Sequence, residues 1–161
     1  MLSEGMTLPD GIFPVVGNDT IKSVSLSEKL KARRVVIFAV PGAFTPTCDA
    51  AHMPSFVRTA QAFRQKGIDE IICISVNDPY VMQIWGQQSG AADAGITMLA
   101  DAGADFTQAV GMAYSKPAGG MLNRSRRYAM LVENGVVTRL HLEASTGACE
   151  ISGGEALLAT I

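Results

Sequence analysis

Two apolar runs dominate the pattern of the chain: "VVIFAV", Val35 to Val40, and "EIICISV", ending at Val76. Runs of strand length without regular alternation predict strands buried on both faces, as in a sheet with helices on each side. Between them, Phe56, Ala60 and Phe63 recur at i, i+4 and i+7, the stripe of an amphipathic helix. That helix begins near Cys48 and closes at Gly67, where a C′ glycine belongs, and Pro54 predicts a kink or a split within it. Strand, helix and strand then form a right-handed parallel crossover. Asn77-Asp78-Pro79 supplies cap residues and a proline at the first helical position, launching a helix through Tyr80, Val81, Ile84 and Trp85. "ITMLAD" is another short strand, "GADFTQAVGM" one or two helical turns, and "SKPAGGMLNRS" a Gly-rich loop. Asn134-Gly135 between "YAMLVE" and "VVTRLHLE" predicts a type I′ hairpin. "GGEALLATI" makes a closing helix. At the other end, "TLPDGIFPVVGND" reads as turn and edge-strand material, and "SLSEKLKARR" as a short helix capped by Ser25 or Ser27.

The order is therefore β-α-β-α-β, a further helix, a β-hairpin and a last helix. A parallel half followed by an antiparallel hairpin and a closing helix is the thioredoxin-like α/β arrangement, with a central mixed sheet flanked by helices and an N-terminal extension. Its 161 residues, 48% of them hydrophobic, suit one domain over residues 1–161. No internal repeat or low-complexity segment interrupts it.

Charge narrows the function classes. The formal net charge is -2, and the basic clusters at Lys31 to Arg34 and Arg124 to Arg127 are short, so the footprint of a nucleic-acid binder is missing. Small molecules or proteins are the expected partners. The N-terminus shows no signal-peptide pattern, and no run reaches the ~18 apolar residues of a membrane span, so a cytoplasmic protein is expected. Three separated cysteines, Cys48, Cys73 and Cys149, with only two histidines, argue against a disulfide framework and against a zinc site.

Chemistry concentrates in "PGAFTPTCDA", Pro41 to Ala50, the turn after the first buried strand. Ligands and reactive groups of such sheets lie beyond the carboxyl ends of the parallel strands, at helix N-termini. Cys48 falls there, where unsatisfied N–H groups and the positive end of the helix dipole favour a thiolate. A second cysteine at position 45 would make a C-x-x-C exchanger; Thr45 stands there instead. Its hydroxyl either satisfies a backbone group in the turn or serves a reacting sulfur, and position alone leaves both open.

Pro41-x-x-x-Thr45-x-x-Cys48 resembles the pattern characteristic of peroxiredoxins. "VPGAFTPTC", followed by His52, Pro54 and Phe56, together with "SVNDPYVMQIWG" is similar to the type II, or peroxiredoxin-5-like, subfamily, and "LPDG", "MLAD" and "RRYAMLVENGVV" extend the likeness over nearly the whole chain. The resemblance implies a thiol peroxidase that reduces hydrogen peroxide and organic hydroperoxides through a sulfenic acid, with glutathione/glutaredoxin or thioredoxin as reductant. Cys48 is then the peroxidatic cysteine, Thr45 and Pro41 shape its pocket, and Arg127 is the active-site arginine. His52 is a structural or pocket residue rather than a catalytic base. Some relatives carry a resolving cysteine near Cys149, in the Ser/Gly-rich segment "EASTGACEISGG", while others use an external thiol. Cys149 is accordingly the candidate resolving cysteine ahead of Cys73, which sits in a packed strand. A homodimer is implied through the "VND…W" segment and the active-site loops. No cofactor is implied, because sulfur itself carries the two-electron chemistry.

Two other functions compete. A disulfide oxidoreductase is disfavoured, because C-x-x-C is absent and no proline precedes the strand at "RSRRYAM". A redox-sensing interaction protein oxidised at the same cysteine shares the first chemical step with a peroxidase.

Overall fold

The computed structural model describes residues 1–161. Its centre is a five-stranded sheet in the order β5-β4-β3-β8-β9, formed by β3 (Arg34–Val40), β4 (Glu70–Ser75), β5 (Thr97–Ala100), β8 (Tyr128–Glu133) and β9 (Val136–Leu142). β3, β4 and β5 run parallel, while β8 and β9 are antiparallel to their neighbours. With β3 and β4 as the first two strands and β8-β9 as the hairpin, this is the thioredoxin-like topology expected from the element order.

The period-2 geometry of β3 explains why its run is apolar throughout. Val36, Phe38 and Val40 face one hydrophobic core, and Val35, Ile37 and Ala39 face another. The first core is roofed by α2 (Met53–Gln65), α3 (Pro79–Gln88) and α5 (Gly154–Leu158). Phe38 stacks on Phe56 at 4.0 Å between ring centroids, and Phe56 on Phe63 at 5.9 Å, so the predicted helical stripe lies flat on the strand. The second core is closed by α1 (Leu26–Leu30), α4 (Asp105–Ala109) and the N-terminal segment through Leu2, Leu8 and Phe13.

Several sequence signals act as expected. Ser25, not Ser27, caps α1, its hydroxyl accepting from the Glu28 N–H. Asp78 caps α3 by accepting from the N–H groups of Tyr80 and Val81, with Pro79 behind it. Gly67 has φ of 84° just past α2, and Asn134 and Gly135 have φ of 48° and 80°, as a type I′ turn requires. Pro54 does divide the helix after the turn at Pro41 to Thr47: Cys48–His52 is a π-helical turn, and α2 proper starts at Met53.

One reading needs correction. The segment "SKPAGGMLNRS" is not a loop but part of a hairpin, β6 (Ala113–Lys116) and β7 (Met121–Ser125), joined by a short 3-10 turn at Pro117–Gly119. Its glycines serve the turn, where Gly120 has φ of 73°, and polar residues fill the exposed strands. The N-terminal stretch does hold the expected edge strand, β1 (Ile12–Val16), and it pairs with β2 (Ile21–Ser25), a strand too polar to announce itself. On α3, Trp85 is fully buried in the first core, and Tyr80 is exposed.

Candidate active site

β3 delivers the chain to Pro41 and Gly42, both buried. Gly42 has no room for a side chain: a Cβ there would stand 2.8 Å from Arg124 Nη1 and 3.0 Å from Thr45 Cγ2. The turn is closed by Thr45 Oγ1, which donates to the Gly42 carbonyl at 2.8 Å, and is clamped from the link after β4 by Asn77 Oδ1, which accepts from the Ala43 N–H at 2.9 Å. Phe44 takes the left-handed conformation, φ 62°, to make the corner. Asp49 N–H then donates to the Thr45 carbonyl, starting the helical segment that carries Cys48.

Cys48 opens the π-helical turn and is fully buried. Its carbonyl accepts from Met53 N–H, the i→i+5 bond that defines such a turn. Arg127, in the short link between β7 and β8, donates from Nη2 to Cys48 Sγ at 3.2 Å. The same guanidinium donates to the Thr146 carbonyl from Nη2 at 3.0 Å and Nε at 3.3 Å, and from Nη1 to His52 Nδ1 at 2.9 Å. These four contacts hold its plane on three sides. Arg127 is itself buried and has no carboxylate partner.

His52 is fixed by elimination. A guanidinium only donates and a carbonyl only accepts, so Nδ1 is the acceptor for Arg127 and Nε2–H donates to the Ser152 carbonyl at 2.9 Å. This is the neutral ring. Burial, then the neighbouring Arg127 charge, push its pKa down to about 3. His52 is therefore a strut between Arg127 and the C-terminal loop, packed by the rings of Phe38 and Phe56, and makes no hydrogen bond to Cys48.

That loop has its own anchor, which sequence reasoning missed. Glu143 Oε2 accepts from the backbone N–H groups of Glu150, Ile151 and Ser152 at 3.0, 3.0 and 2.7 Å. Burial pushes the Glu143 carboxyl up, but these donors outweigh it and hold its pKa below the usual range. Glu143 N–H also donates to the Arg127 carbonyl. Nothing in the pattern of the chain distinguishes this acid from the others.

A solvent-open pocket of about 410 Å³ lies above Arg127, walled by Pro41, Thr45, Pro46, Tyr114, Met121 and Thr146 among others. Thr45 and Pro41 are thus at the pocket, although Thr45 spends its proton on Gly42 rather than on the sulfur. Of the open alternatives, the structure shows the turn-closing role directly and leaves the oxygen lone pairs for a donor in the pocket.

All three cysteines are free. Cys149 is half-buried near Gly153 and faces a separate recess lined by Ala50, Ala51, Ser55 and Arg58, on the outer side of the Cys48 helix. Burial pushes its thiol up. Cys73 is fully buried at the middle of β4, opposite Phe38, in the same core layer as Cys48, and burial drives its thiol well above the usual range.

Comparison with known proteins gives the family. The Redoxin family profile matches residues 3–158. Peroxiredoxin-2C of Arabidopsis thaliana is 38% identical over 158 residues, spanning 98% of this chain and 96% of its own. The chain belongs to the peroxiredoxin family. Peroxiredoxin-2C of Oryza sativa subsp. japonica is 40% identical over 155 residues, covering 96% of this peroxiredoxin and 94% of itself. The crystal structure of reduced Prx3 from Vibrio vulnificus in complex with hydrogen peroxide matches with a TM-score of 0.93 and 41% identity over 99% of each chain. Family membership makes this peroxiredoxin a thiol peroxidase, an oxidoreductase that acts on peroxide.

Proposed function

We propose that this peroxiredoxin reduces hydrogen peroxide and small organic hydroperoxides with Cys48 as the peroxidatic cysteine and Arg127 as its electrostatic partner. The observation that carries the assignment is the 3.2 Å contact from Arg127 Nη2 to Cys48 Sγ, with both groups buried and the arginine unpaired by any carboxylate. The resemblance of the fold to a Vibrio vulnificus structure described as bound to hydrogen peroxide supports the same reading.

The Cys48 thiolate attacks one peroxide oxygen, an S–O bond forms as the O–O bond breaks, and the departing oxygen takes a proton to leave as water or an alcohol. Negative charge moves from sulfur to that oxygen, so a fixed guanidinium beside both stabilises the transition state more than a group near either alone. Arg127 is held ready by His52 and Thr146. Peroxide enters from the pocket above it, and because the sulfur is sealed, the turn at Phe44 to Thr47 must part. The π-helical turn that carries Cys48 follows directly, a form that recurs at functional sites. The product is a Cys48 sulfenic acid. A reductant thiol then condenses with it, releasing water and leaving a mixed disulfide, and a second thiol frees Cys48.

Glutathione with glutaredoxin, or thioredoxin, serves as reductant in this reading. Cys149 is the resolving candidate within the chain, because its loop is partly exposed while Cys73 is enclosed by β3 and β5. Phe44 in the turn is exposed and its ring lies 6.3 Å from that of Trp85 on α3, which also presents exposed Tyr80 and Ile84 at i,i+4, and these exposed apolar side chains support a homodimer.

Stopped-flow peroxide reduction tests the assignment. Cys48→Ser should abolish turnover, since a hydroxyl is neither ionised nor comparably nucleophilic at neutral pH, and Arg127→Ala should slow Cys48 oxidation at least about tenfold, roughly 1.4 kcal/mol. Turnover by Cys48→Ser within threefold of wild type refutes the assignment. Catalytic consumption of peroxide with a reductant, against a single stoichiometric oxidation, separates the peroxidase from a redox-sensing protein.

A further inference from the structure

The pocket is larger than hydrogen peroxide requires. A water with one heavy atom needs roughly 10–15 Å³ of void, and hydrogen peroxide about twice that; the pocket of about 410 Å³ exceeds this more than tenfold. The excess is bounded on one side by the β6-β7 hairpin, through Tyr114, Lys116, Gly119 and Met121. Tyr114 and Lys116 are two residues apart on one strand, and the register with β7 shifts between them. Such a bulge re-aims a side chain, and here both residues line the pocket.

The charges around this space have a single sign. Arg127 forms the floor and Lys116 is exposed at the rim, and no aspartate or glutamate lines the pocket. Arg124, the cross-strand neighbour of Tyr114, donates to the carbonyl of Pro41, a wall residue, at 3.3 Å. None of the three forms an ion pair with a carboxylate. On a chain of net charge -2, this is a local concentration of uncompensated positive charge beside the reacting sulfur. Met121, Pro46 and the Tyr114 ring offer apolar contact between floor and rim.

We propose that the pocket selects carboxylate-bearing alkyl hydroperoxides, with Lys116 as the specificity-determining cation at its rim. The hydroperoxide end meets Cys48 and Arg127, the alkyl segment lies along Met121 and Tyr114, and the carboxylate reaches Lys116. The reaction is the same displacement: Cys48 sulfur takes the terminal oxygen, and the hydroxy acid leaves. Because Lys116 is solvent-exposed, its contribution is of the steering and surface-pair kind, screened by salt. The expected gain is about three- to tenfold in the second-order rate, vanishing at high ionic strength.

This inference rests on Cys48 as the reacting thiol, and hydrogen peroxide separates the two ideas because it has no carboxylate to engage. A medium-chain hydroperoxy carboxylic acid and its methyl ester, both below their micelle concentrations, are compared by stopped-flow, following the fluorescence of the single tryptophan, Trp85, whose Nε1–H donates to Asp49 Oδ1 beside Cys48. The acid should react about three- to tenfold faster than the ester at low salt, Lys116→Gln should remove the difference, and Lys116→Glu should invert it. The hydrogen peroxide rate should stay within twofold in each variant. Equal rates for acid and ester in the wild type, or a preference untouched by Lys116→Glu, overturn the proposal while leaving Cys48 chemistry standing. Loss of the hydrogen peroxide rate in Cys48→Ser alone tests the underlying assignment.

Discussion

His52 should make this protein lose stability in mild acid, as the pH falls below 6.5. An unfolded histidine takes up its proton near 6.5, whereas the folded His52 does so only at about 3. Between those values the unfolded state holds more protons, so stability is complete above pH 6.5 and falls as the pH drops. The groups facing the ring explain the direction: desolvation and the Arg127 guanidinium oppose its protonation, and the Ser152 carbonyl and Glu143 offset them only in part. One pH unit is worth about 1.4 kcal/mol, so pH 5 should cost about 2 kcal/mol and full protonation on the order of 5 kcal/mol. Asp10, Glu70 and Glu143 have pKa values lowered below the usual carboxylate range, so their contributions are lost only at lower pH. Urea denaturation at pH 7, 6 and 5 reads the effect as a falling midpoint at constant m-value. His52→Asn should be less stable at pH 7 yet show a much flatter profile, with His141→Gln as the control for the other histidine. A wild-type midpoint that does not move between pH 7 and 5, or an equal slope in His52→Asn, refutes a buried neutral strut.

Thr45→Val should slow Cys48 oxidation about tenfold, roughly 1.4 kcal/mol, and loosen the turn, while Thr45→Ser, which retains the hydroxyl for Gly42, should be mild in the same stopped-flow assay. Glu143→Gln should lower stability by about 1–3 kcal/mol, because a charged acceptor of three backbone N–H groups becomes neutral; thermal or urea unfolding measures it. After one equivalent of peroxide, peptide mapping should find Cys48 joined to Cys149, and Cys149→Ser should accumulate sulfenic acid or a glutathione adduct. A Cys48–Cys73 bridge, or none in the wild type, would remove Cys149 from the cycle.

Local rules were enough to read the sheet's centre, the caps and the hairpin turn from the chain. Val35 to Val40 must be a doubly buried strand because six consecutive apolar residues have no other economical place. Asp78-Pro79 and Asn134-Gly135 carry backbone preferences that act within a few residues. Strand β2 and the hairpin β6-β7 left no such trace, since stretches like Lys22-Ser23 and Asn123-Arg124 have no apolar alternation to betray them. The site divides in the same way. Cys48 and Thr45 are marked by one short turn, and a resemblance in sequence singled out Arg127. What the tertiary structure alone decided is what holds them: His52 and Thr146 on Arg127, Glu143 under the Cys149 loop, and Lys116 brought to the pocket by a hairpin read as a loop. These partners lie up to a hundred residues apart, as His52 and Ser152 do, and hydrogen bonds between such residues follow from how the elements pack, not from any period along the chain.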